Sequence, residues 1–184
     1  LDLLRVANVR FITSRLPLTG GGLRKVAGPP DGTILPRDST PYKERIGPYL
    51  RWIIDPPPPY VYELPDPTPR LYAAQRIVTV PDGISMAAFY KLVPQEALSG
   101  GAILRAEDAS RLSSLETGLI IERYAVVKNG FDVYLKPGNG GVFIVNVTHV
   151  PFWKAFAGEI ALTVGPANGI HTAVAVPKGV RRVS

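Results

Sequence analysis

The chain has no cysteine, so neither a disulfide nor a thiolate metal site is available to it, and cysteine usage carries no cue about redox compartment. Histidine is nearly as scarce. His149 and His171 are the only two, and neither has a third metal-ligating residue close by in sequence. No apolar run approaches the roughly 18 residues that a membrane-spanning helix needs. A Gly-x-Ser-x-Gly elbow, a phosphate loop and a dinucleotide fingerprint are all missing. Gly20-Gly21-Gly22 lacks the Lys-Ser/Thr that a phosphate loop requires and reads as a flexible turn. There is no internal repeat. No basic-then-apolar leader opens the chain, and its start at Leu1 reads as that of an excised fragment.

What the chain does have is core-forming residues and many breakers. Its 184 residues are 46% hydrophobic and 20% charged, an ordinary globular balance. Its 19 prolines and 18 glycines exceed the usual combined share of about 12% and favour short strands joined by turns. The net charge is +6. The basic residues are scattered (Arg5, Arg10, Arg15, Arg24, Lys25, Arg181, Arg182) rather than gathered among stacking aromatics. That spread argues against a nucleic-acid partner. It suits a solvated surface or one lying near anionic lipid headgroups.

The stretch from Gly140 to Gly179 organises the rest. Short Val/Ile-rich strands follow one another, fenced by Pro151-Phe152-Trp153, Gly158 and Gly165-Pro166-Ala167-Asn168-Gly169. Upstream, Lys128-Asn129-Gly130 joins Leu119–Val127 to Phe131–Leu135 as a hairpin. Residues 113–184 therefore predict an antiparallel β-sandwich, jelly-roll-like or Ig-like. Phe131, Val133, Phe143, Val145, Leu162 and Val174 should lie in its core, with no long helix between 119 and 176. Residues 1–112 predict a mixed α+β portion with a Pro-rich connector at 55–59, and the pattern allows the two portions to share one core. In that first part, Leu1–Ala7 has helical spacing and Val9–Thr13 alternates as a strand. Ser39-Thr40-Pro41 looks like a helix start, interrupted at Gly47-Pro48. Leu71–Val80 reads as one strand, and Ile84, Ala88 and Leu92 mark a helix capped by Asp82 or Ser85. The fold class is mostly β.

Trp153, Lys154 and His149 are the candidate ligand-binding residues. An aromatic beside a lysine at a strand-to-loop corner suits stacking on a sugar ring or sitting at a lipid interface. The competing reading has the indole closing the open end of the sandwich, its N–H bonded to a backbone carbonyl. His149 shares parity with Phe143, Val145 and Val147 at the rim of a buried face. His171 shares parity with Ala173 and Ala175 on a shallower one. Glu122, Asp132 and Glu159 are available as a carboxyl pair for glycoside chemistry, but nothing singles out two of them. No catalytic residue, metal or cofactor is expected.

Three segments carry a resemblance in consistent order. Leu1-Asp2-Leu3-Leu4 leads into Val9-Arg10-Phe11-Ile12-Thr13-Ser14; Tyr60-Val61-Tyr62-Glu63 precedes Pro69-Arg70-Leu71-Tyr72; Val142–Ala155 is followed by Pro177-Lys178-Gly179. Together they resemble the C-terminal extracytoplasmic region of the YfhO-like bacterial polytopic membrane proteins, which look like GT-C glycosyltransferases. Phe152 stands where that family has the Gly of a Pro-Gly-Trp corner, and Ala157-Gly158 stands for its Asp-Gly. The resemblance implies an extracytoplasmic, membrane-tethered domain whose partner is the membrane-embedded remainder of its own chain. The family's proposed catalytic acids lie in an early loop that has no counterpart here. A carbohydrate-binding module using Trp153 and Trp52, or a small glycoside hydrolase, are the alternatives.

Overall fold

The computed structural model describes residues 1–30, 41–56, 58–112 and 115–184. It is mostly β, with 39% strand against 19% helix, and the strands after Thr117 pair antiparallel as expected. The chain forms two compact units, Val9–Asp66 and Leu1–Asn8 together with Pro67–Ser184. This division differs from a change of texture at 112/113, because elements within 67–112 pack directly on the sandwich.

The smaller unit holds three antiparallel strands and a helix. β1 (Phe11–Ser14) and β2 (Arg24–Ala27) flank β3 (Tyr60–Glu63), whose Tyr60 and Tyr62 point to one side and are buried. Glu63 accepts from Arg10 at 3.3 Å and from Arg24, and Arg24 is the main reason that its carboxyl stays below the usual range. α2 (Tyr42–Ile54) runs straight through Gly47-Pro48. The expected interruption does not occur, because the helix spans both residues. The cap expected at Ser39-Thr40 lies outside the described residues, as do Pro57 of the connector and the side chain of Trp52.

In the larger unit, α1 (Asp2–Val6) is held by Thr68, whose N–H donates to the Arg5 carbonyl and whose hydroxyl lies 2.9 Å from the Val6 carbonyl. The predicted strand over 71–80 is two strands in different sheets. β4 (Leu71–Ala73) joins the sandwich, and β5 (Arg76–Val80) pairs in parallel with β6 (Gly101–Arg105). The helix between them, α3 (Met86–Leu98), is capped by Ser85, whose Oγ accepts from Ala88 N–H at 3.2 Å. Its buried stripe is Phe89, Val93 and Ala97, not the Ile84-Ala88-Leu92 register. β6, which composition alone marks as weak, is buried at its first four positions. A short α4 (Ala106–Arg111) that the sequence pattern does not signal follows it.

The sandwich follows as β7 (Ile121–Val127), β8 (Gly130–Leu135), β9 (Gly141–Thr148), β10 (Ala155–Ala157), β11 (Ile160–Ala167), β12 (His171–Val176) and β13 (Arg182–Val183). One sheet has the order β10-β11-β12-β9-β4 and the other β13-β8-β7. Asn129 takes a left-handed φ of 65° in the β7–β8 turn, as an Asn-Gly hairpin requires. Along one edge the two sheets meet, because Phe156 and Ser184 exchange both backbone hydrogen bonds, at 2.9 and 3.0 Å. A Cβ on Gly140 would lie 2.6 Å from the Val176 carbonyl, so only glycine lets the turn before β9 pass that strand.

Three apolar layers result. Phe143, Val145, Val174 and Val176 meet Val133 and Leu135 between the sheets, with Phe131 and Leu162 packed at the margin. The opposite faces of β9 and β12 present Val142, Ile144, Ala173 and Ala175 to Ala102, Leu104 and Leu112. Ile103, on the far side of β6, packs on Phe89 and Val93 of α3 and on Val6 of α1.

A buried amide joins β6 to β4. Asn168, 2% exposed and at φ 51°, accepts from Ile103 N–H through Oδ1 at 2.8 Å and donates to the Tyr72 hydroxyl at 2.9 Å. The Tyr72 hydroxyl donates in turn to the Gly101 carbonyl at 3.1 Å, and burial pushes its pKa up to about 12. Replacing Asn168 by Ala should cost about 2–4 kcal/mol in urea unfolding, because a buried N–H and a buried hydroxyl lose partners. Asn168→Gly relieves the backbone but restores neither bond, so it should not recover stability. A fully stable glycine variant would show those hydrogen bonds to be idle.

Candidate functional site

The site is built where β9 runs out of cover. Its residues are buried from Gly141 to Val145 and become exposed at Thr148. A register shift accompanies the change: Thr172 faces Val145 while His171 faces Thr148, so Asn146 and Val147 form a bulge. The bulge turns the Asn146 amide outward, where Nδ2 donates to Thr68 Oγ1 and to the Pro69 carbonyl, both at 2.7 Å. It also breaks the strict alternation on which His149 was placed beside Val147.

Beyond His149 the chain makes a β-turn with Pro151 in its first central position, closed by Trp153 N–H to the Val150 carbonyl at 3.1 Å. The Trp153 indole N–H donates to the Thr148 carbonyl at 3.2 Å. These two bonds fix the corner. The half-buried indole lies 6.5 Å from the Phe131 ring, and Phe131 lies 6.4 Å from Tyr124. The Arg70 guanidinium sits 5.5 Å from the Phe131 centroid.

Behind this aromatic row a cleft of about 270 Å³ opens between the two sheets. Its floor is aliphatic, with Val133, Val145, Val164, Val174 and Val183, and its rim carries Phe152, Trp153 and Lys154. The structure therefore brings Trp153 and Lys154 to one opening. His149 is not among the residues lining it. The His149 main-chain N–H bonds the Ile170 carbonyl at 2.7 Å, and its Nδ1 is buried without a partner among the described residues. His171 is deeper than its parity with two alanines suggested, at 3% exposure. Burial pushes its imidazole below the ordinary value, so it is neutral at pH 7.

The three carboxylates named as a possible pair fall on three different elements. Glu122 is exposed on β7, and Glu159 is exposed in the β10–β11 turn. Asp132 on β8 accepts twice from Arg182, at 3.1 Å to each oxygen. Among the described residues no group of three or more His, Asp or Glu side chains is placed to hold a metal. A smaller cavity of about 180 Å³ near α3 has one carboxylate, Asp108, pushed above its usual range by burial, beside Arg105. Sequence reasoning passed over Asp108 because α4 has no apolar periodicity to reveal it. No helix among the described residues is long and apolar enough to cross a membrane. No family model, curated protein or solved structure matches the chain.

Two measurements follow from this geometry. Trp153→Ala should lower unfolding free energy by about 2 kcal/mol, below the roughly 3–5 kcal/mol of a fully buried aromatic, since one side of the indole is wet. Trp153→Phe should recover the packing but not the bond to Thr148. The second concerns pH. Unfolded His171 takes a proton near 6.5 and folded His171 resists it, so its contribution is present above about pH 6.5 and is lost as pH falls through the lower folded value. Asp108 acts in the opposite direction, so the readout is the difference between wild type and His171→Gln. The melting temperature of the variant should fall less steeply from pH 7 to pH 5.

Proposed function

We propose that this chain is a non-catalytic extracytoplasmic domain of a larger bacterial membrane protein of the glycosyltransferase-like class, where it shapes or covers the acceptor side of a membrane-embedded active site. One observation carries the reading. The cleft that the sandwich presents is aliphatic to its floor and aromatic at its mouth, with a lysine and no Asp or Glu side chain among its lining residues. Such a surface suits binding or covering, and it presents no pair of Asp or Glu side chains for glycoside chemistry. The resemblance to the YfhO-like proteins supports the same reading. Its segments fall on α1, β1, β3, β4 and on β9 with its corner, so the motifs coincide with elements that carry the fold.

A carbohydrate-binding module is the second reading, favoured by Phe152, whose ring is 87% exposed at the cleft mouth and free to lie against a sugar. Trp153 suits that role less well, since its indole is committed to Phe131 and Thr148.

The purified chain should show no turnover of polyprenyl-phosphate sugars or of aryl glycosides. Deleting this domain from the full-length protein should impair acceptor use or folding. Turnover by the domain alone that vanishes on replacing Glu122, Asp132 or Glu159 would overturn the proposal in favour of a hydrolase.

A further inference from the structure

Phe152 sits at the tip of a turn that two hydrogen bonds hold rigid, and it packs against nothing that would explain an 87% exposed phenylalanine. Across the cleft mouth stands the β7–β8 turn, whose Asn129 and Gly130 line the same opening. Val126 and Val127, which lead into that turn, are 60% and 43% exposed. Each loop also carries an exposed lysine, Lys128 on one and Lys154 on the other, and neither 127–130 nor 148–154 contains an acidic residue. Single exposed apolar side chains are common on protein surfaces. Two facing loops that both set exposed apolar side chains beside a lysine around one opening are a different matter.

We infer that this end of the sandwich docks on an anionic lipid bilayer. Phe152 enters the boundary between headgroups and acyl chains, and the exposed end of β7 borders that contact from the opposite loop. The half-exposed Trp153 lies at headgroup level, where an indole is favoured. Lys128 and Lys154 remain outside against lipid phosphates, each adding an attraction that salt screens. The charge pattern selects this occupant, since a neutral glycan gains little from two lysines and an apolar protein partner would leave them unpaired. The inference goes beyond the reading above and does not need it, because both loops belong to one compact unit.

The experiment is flotation of the chain with vesicles of phosphatidylglycerol mixed with phosphatidylcholine, and with vesicles of phosphatidylcholine alone. A Trp52→Phe background leaves Trp153 as the only fluorophore of its kind. The chain should float with the anionic vesicles at low salt and not with the neutral ones, and Trp153 emission should move to shorter wavelength. Phe152→Ser should weaken partitioning roughly tenfold or more, and Lys128→Glu with Lys154→Glu should abolish it. Because these three side chains are exposed, unchanged melting temperatures will separate loss of docking from loss of folding. Absence of flotation with anionic vesicles would overturn the inference. So would flotation that Phe152→Ser leaves unchanged, which would mark general attraction of a basic chain. Binding of a soluble glycan through Phe152 in place of vesicles would also overturn it. Sugar turnover in the preceding assay bears on the absence of catalysis and leaves the vesicle result untouched.

Discussion

The larger unit hangs on two neighbouring strands, β9 and β12, being dry on both faces. β12 is buried at all six of its positions, and β9 at its first five. The two faces differ in size. Phe143, Val145, Val174 and Val176 fill the space between the sandwich sheets, whereas Ala173 and Ala175, with Val142 and Ile144, meet the layer formed by β6 and α4. Alanine on that second face lets β6 approach closely. Close approach in turn allows the Asn168 amide to reach Ile103 and Tyr72, so a turn that also needs a left-handed residue becomes the polar bolt between layers.

The cleft is the consequence of that arrangement ending. Where the bulge at Asn146-Val147 carries β9 away from its partner, the two sheets are no longer filled to the rim. Trp153 takes up part of the gap, hydrogen-bonded to the strand it follows and stacked toward Phe131. What stays open is apolar inside and basic only at the edge. A site of that kind concentrates hydrocarbon or aromatic faces, and the proposed binding or covering role rests on that.

Much of this was legible in the residues because the cause is local. An Asn-Gly pair between alternating strands specifies a hairpin, and apolar residues at both parities over Val142–Val145 specify a doubly covered strand. The indole bond to a backbone carbonyl was also expected, since a buried Trp N–H needs an acceptor. The misses have a common origin in context that sequence spacing does not contain. Leu71–Val80 is continuous in pattern, yet Ala74 N–H bonds Val142 and Gln75 N–H bonds Gly100, so the run divides between two sheets. His149 was assigned by parity, and a bulge displaced it. Gly101 reads as the end of a connection and Ala102–Arg105 as only a weak strand, but small residues are what the crowded space beneath β9 and β12 admits.

Native-state hydrogen exchange, followed amide by amide, tests the central claim most directly. If the doubly covered strand pair is the constraint on which the unit depends, the amides of β9 from Val142 to Val145 and of β12 from Ala173 to Val176 exchange only through global unfolding. Their protection then falls with denaturant in step with the overall stability, while β7 and the Val150–Lys154 corner exchange by smaller openings. β9 and β12 amides that exchange through sub-global openings, while the β7–β8 hairpin outlasts them, would contradict the account.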